Sequence, residues 1–101
     1  MQPLNTSIEV LGITTEICEL PRHRRGVDVM DTLPSFTAYS VTPLRKYGVR
    51  KSGPTFWFHY SRNKGDLVYS EGGVRRLFER HPALAVTILE TIRENEEKKH
   101  G

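Results

Sequence analysis

Residues 55–70 read TFWFHYSRNKGDLVYS, and the fold class turns on how they are understood. Phe56, Phe58 and Tyr60 fall on one face of an extended chain, with Trp57, His59 and Ser61 on the other. That period of two marks a strand. RNKGD then carries turn chemistry: Asn63 and Lys64 suit a type I turn, and Gly65 supplies the left-handed residue that follows it. The stretch is therefore expected to form a β-hairpin in which Arg62 faces Asp66, Tyr60 faces Val68 and His59 faces Tyr69. Both faces of this hairpin carry large apolar groups. One should meet a helix. The other is a second core layer, an exposed aromatic platform or the contact surface of a homodimer.

Outward from the hairpin, the same period recurs upstream. SFTAYSVTPL puts Phe36, Ala38 and Ser40 on one face, Thr37, Tyr39 and Val41 on the other. SIEVLGITTEICEL is rich in β-branched residues, and Gly12 marks a bulge or a turn into a second strand. PRHRRG reads as an exposed loop, VDVMDTLPS as a short strand and turn, and RKYGVRKSGP as a loop or bent edge. Downstream the period changes to that of a helix. Val74, Leu77 and Phe78 are helically spaced after Gly73, and Pro82 ends that helix and begins the next. Leu84, Ala85, Ile88, Leu89 and Ile92 then form one apolar stripe. Glu90–Arg93, Arg93–Glu97 and Glu94–Lys98 give charge pairs on the solvent side. Strands first and helices last predict one small α+β domain over 1–101. Its sheet of about four or five mostly antiparallel strands would be covered by the C-terminal helices, with the charged tail 94–101 frayed.

The chain of 101 residues suits one domain with one modest core. No apolar run approaches the ~20 residues that span a bilayer. The first ten residues lack the basic and apolar regions of a secretory signal. Cys18 is the single cysteine, which rules out an internal disulfide and a thiolate metal cluster. It is read as a core thiol, and the protein is expected in the cytoplasm, away from membranes.

Charge is distributed unevenly along the chain. Residues 1–31 carry three basic and five acidic side chains, residues 32–65 six and none, residues 66–101 six and seven. The middle third thus supplies all of the +3 net charge. Its cations are Arg45, Lys46, Arg50 and Lys51, with Arg62 and Lys64 across the hairpin turn. Protecting a sheet edge from aggregation needs only one or two charges. Six cations without an acid fit a surface that steers and holds a polyanion.

The expected function is non-enzymatic binding of DNA or RNA. Arg45, Lys46, Arg50, Lys51, Arg62 and Lys64 would hold phosphates, and Trp57 and His59 would touch bases or sugars. For Trp57, core packing or a dimer interface is the preferred role, and base stacking is the alternative. The alternative function is a small interaction module, a regulator or inhibitor of the size mobile elements encode, whose basic patch docks an acidic protein surface. A third reading is a metal-independent ribonuclease built on His59, Tyr60, Tyr69 and Arg62, which would have to converge on one phosphate. No cofactor or metal is implied: Asp28 and Asp31 lack a third ligand at supportive spacing. Glu71-Gly72-Gly73 can bare backbone N–H groups to an anion, but its spacing matches no phosphate-loop motif and a strand-to-helix turn is the better explanation. RHRR, 22–25, either extends the basic surface or is a plain loop.

Overall fold

The computed structural model describes residues 3–20, 36–44, 54–70 and 72–100. Five strands, β1 (Asn5–Val10), β2 (Ile13–Glu19), β3 (Phe36–Leu44), β4 (Phe56–Ser61) and β5 (Asp66–Ser70), precede two helices, α1 (Gly72–Arg80) and α2 (Pro82–His100). The strands form one antiparallel sheet in the order β1-β2-β3-β4-β5. This is the expected α+β domain. Its meander needs only neighbour-to-neighbour connections, so each strand pairs with the next along the chain.

Gly12 is a turn rather than a bulge. Val10 pairs with Ile13, and Leu11 and Gly12 take φ of 51° and 80°. Two successive positive φ values are what a two-residue type I′ hairpin loop requires. At the second hairpin Gly65 is left-handed, with φ 67°, as its position in RNKGD predicts. The register there differs from the sequence expectation. Asp66 faces Ser61, not Arg62, and Leu67, not Val68, faces Tyr60. The loop is one residue longer, Arg62–Gly65, closed by Gly65 N–H donating to the Ser61 carbonyl at 2.8 Å. An irregularity between His59 and Tyr60 absorbs the offset, so His59 still faces Tyr69.

One face of the sheet is the core face. Ile17, Tyr39, Val41, Phe58 and Tyr60 from the strands meet Val74, Leu84, Ile88 and Ile92 from the helices, all buried. Phe58 lies 6.2 Å from both Tyr39 and Phe78, and Tyr60 meets Tyr39 edge-on at 6.4 Å. Gly73 lets α1 come down on this layer, because a Cβ there would overlap the Phe56 ring. Close packing therefore accounts for that glycine. Cys18, read as a core thiol, is instead half-buried on the opposite face, its Sγ 3.5 Å from Asn5 Oδ1.

The tail expected to fray from residue 94 is helical to His100. The apolar stripe at 84, 88 and 92 continues one turn further to Glu96, which is 2% exposed. Its carboxylate accepts from Thr37 Oγ1 at 3.0 Å, Tyr39 OH at 2.6 Å and Lys99 Nζ at 3.1 Å. Lys99 also pairs with Glu19 at 2.9 Å, and Asn95 Nδ2 donates to Glu19 and to Tyr39 OH, each at 3.0 Å. A buried carboxylate is tolerated only when its lone pairs are satisfied, and here three donors do so. Burial pushes the Glu19 pKa up. Donors from Lys99, Asn95 and the Leu4 N–H outweigh that and hold it below its ordinary value of 4.5. Burial, then the hydrogen bond to Glu96, raises that of Tyr39. The last turns of α2 are thus clamped to β2 and β3.

Candidate nucleic-acid interface

Arg45, Lys46, Arg50 and Lys51 lie outside the described residues, but both anchors of their segment are defined. Leu44 ends β3, Pro54 precedes β4, and the hydroxyls of Thr42 and Thr55 are hydrogen-bonded at 2.8 Å. Arg62 and Lys64 stand at the other end of β4. Its six residues, rising ~3.3 Å each, hold that turn roughly 20 Å from the Thr42–Thr55 bond. The cations that look joined across a hairpin in sequence are thus anchored at opposite ends of a strand. Lys64 is exposed, its N–H donating to Ser61 Oγ at 3.2 Å. Arg62 is half-buried, and its Nη1 is fully buried without a hydrogen-bond partner among the described residues.

Trp57 and His59 point away from the helices, as the period of two requires. Their rings meet edge-on, 5.8 Å apart with planes at 88°. Trp57 is half-buried and stands outside the core cluster, so it does not pack in the sheet–helix core. His59 is only 2% exposed, and a base can touch its ring only if the surroundings open. Tyr60 is buried on the core face, so His59 and Tyr60 diverge across the sheet instead of converging on a phosphate. Asp28, Asp31 and 22–25 lie outside the described residues. Among the described residues no three His, Cys, Asp or Glu side chains group together as metal ligands. No described helix is long and apolar enough to cross a membrane.

A feature that sequence reasoning missed sits where the basic segment is rooted. Pro43 and Pro54, one on each side of it, line a cavity of about 330 Å³ with Phe56, Arg76, Arg80 and His81. Arg76 and Arg80 are four residues apart and so share one face of α1. That spacing was the available signal. What the pattern of α1 does not contain is which part of the sheet this face would meet. A smaller cavity of about 130 Å³ adjoins it, sharing Arg80 and His81 and lined by Val10, Leu11 and Ile13 of the first hairpin. No protein-family model matches the chain, and no curated protein or solved structure matches it.

Proposed function

We propose that this protein binds nucleic acid without catalysis, through a basic surface at the end of the sheet where 45–53 is rooted. The observation that carries this reading is the shared cavity. Residues flanking the segment of Arg45, Lys46, Arg50 and Lys51 line the same walls as Arg76 and Arg80. Arg76 and Arg80 thus stand beside both anchors of the segment that carries those four cations, and a local positive field attracts a polyanion. Glu79 on α1 is the acidic neighbour, and it is not among the cavity-lining residues. Arg62 and Lys64, at the other end of β4, serve a longer ligand or none. Trp57 reaches a base only on that longer path. The cytoplasm, with DNA or RNA at hand and a lone cysteine kept reduced, is the compartment that belongs to this reading.

A second reading has its own observation. Leu11 is 88% exposed at the rim of the smaller cavity, which suits an acidic protein surface with an apolar anchor. Fluorescence anisotropy with duplex DNA, single-stranded DNA and RNA over a salt series separates the two. Nucleic-acid binding predicts affinity that falls steeply with salt. Each of Arg45→Ala, Lys46→Ala, Arg50→Ala and Lys51→Ala should lower the duplex salt slope by about one unit. Arg62→Ala and Lys64→Ala should change it less. Failure to bind any oligonucleotide at about 50 mM salt would sink the reading in favour of the protein partner.

A further inference from the structure

The cavity at the root of 45–53 has a chemical character that decides between forms of nucleic acid. Its cationic groups are Arg76 and Arg80, the His81 imidazole lies beside them, and among the described residues no carboxylate lines it. Its remaining walls include three flat apolar surfaces, the Phe56 ring and the rings of Pro43 and Pro54. Phe56 is half-buried and braced by Gly73, which also lines the cavity and where any side chain would strike the ring. A braced ring beside two guanidinium groups offers stacking and charge at one place. About 330 Å³ lies at the lower end of the range for small-ligand sites, enough for one nucleotide and far too little for a duplex.

We propose that this cavity takes a single unstacked nucleotide of a single strand, its base on Phe56 and its phosphate on Arg76 and Arg80. The inference rests on the nucleic-acid reading and sharpens it, because a paired base is held in its stack and cannot enter. Duplex would then be bound by its phosphates alone, whereas a single strand adds stacking, which supplies a sequence-tolerant gain on any aromatic platform. Arg is the suited cation, since its planar fork can pair two phosphate oxygens at once.

The test uses the whole chain, ¹⁵N-labelled, titrated separately with a short homopolymer single strand, a duplex of equal phosphate number, and inorganic phosphate. The single strand should bind at least about 10-fold tighter than the duplex at equal salt and move the Gly73 and Leu77 amide signals. Phe56→Leu should erase that preference, bringing single-strand affinity down to that for the duplex. Arg76→Ala with Arg80→Ala, both exposed and so harmless to folding, should weaken single-strand binding most. Because Phe56 also packs beside α1, the arginine pair keeps the test decisive if Phe56→Leu folds poorly. Equal affinity for single strand and duplex, with Gly73 unmoved, overturns this inference and leaves the nucleic-acid reading standing. Gly73 shifts of the same size with inorganic phosphate alone overturn the stacking claim. No binding to any of the three overturns both readings.

Discussion

At the residue scale, two turns show how backbone stereochemistry selects side chains, and where it is overruled. Gly65 sits at φ 67° with nothing closer to an added Cβ than the Tyr60 hydroxyl at 3.9 Å. Its glycine therefore answers to the backbone and not to crowding. Leu11 adopts φ 51° with its side chain in solvent, although Asn or Gly suits the first position of a type I′ turn far better. A left-handed leucine costs backbone energy and gains nothing from burial. Leu11→Asn should consequently raise stability by roughly 0.5–1 kcal/mol, read as a higher urea midpoint at unchanged m-value. A lower midpoint would mean that Leu11 is held by contacts outweighing its strain. If the protein-partner reading holds, the same variant should lose affinity for that partner, which gives the strained residue a use.

Elements are held by faces. In β4, Phe58 and Tyr60 are buried against the helices, and in α2 Leu84, Ile88 and Ile92 return the contact. In a folded protein most helical stability comes from packing of one apolar face rather than from propensity, so α2 depends on that stripe. Ile88→Ala should cost about 2–5 kcal/mol by opening a cavity in the core, measured by chemical denaturation. Leu89→Ala should cost less, because Leu89 is only half-buried. Near-zero loss at both positions would refute a load shared between α2 and the sheet. The α1 face works differently, since Val74 alone is fully buried while Arg76 and Arg80 remain exposed. A short helix that packs lightly leaves one side available to line a cavity.

Across the whole molecule, the polar seam from Glu19 through Lys99 and Glu96 to Tyr39 ties the chain's last turns to its second and third strands. Such a seam makes stability depend on pH in two windows. Glu19 has a lowered pKa, so its contribution is complete above 4.5 and is lost as pH falls through the folded value. Tyr39 has a raised one, so its contribution is complete below 10.0 and is lost as pH climbs beyond that. Thermal denaturation from pH 7 down to about 3 should show the acid loss, and Lys99→Met should shrink it by removing the main donor to Glu19. Parallel acid loss in both proteins would show that Lys99 does not hold that carboxylate.

What the sequence by itself determined is everything carried by near neighbours. The two faces of β4, the left-handed Gly65, the start of α2 at Pro82 and the stripe of Leu84, Ile88 and Ile92 all follow from local stereochemistry and periodicity. The same stripe, extended by four, points at Glu96, yet charge made that position look like a frayed surface. The assembled sheet supplied two of the three donors that allow a carboxylate there, Thr37 and Tyr39, and Thr37 lies 59 residues away along the chain. The candidate site divides in the same way. Its excess of cations is plain in the composition of 32–65, but the separation of Arg62 and Lys64 from the root of 45–53 follows from β4 standing between them. The meeting of Arg76 and Arg80 with Pro43 and Pro54 depends on which face of the sheet α1 covers. Contacts between distant segments arise from chain closure and the choice of face, and no local pattern encodes either.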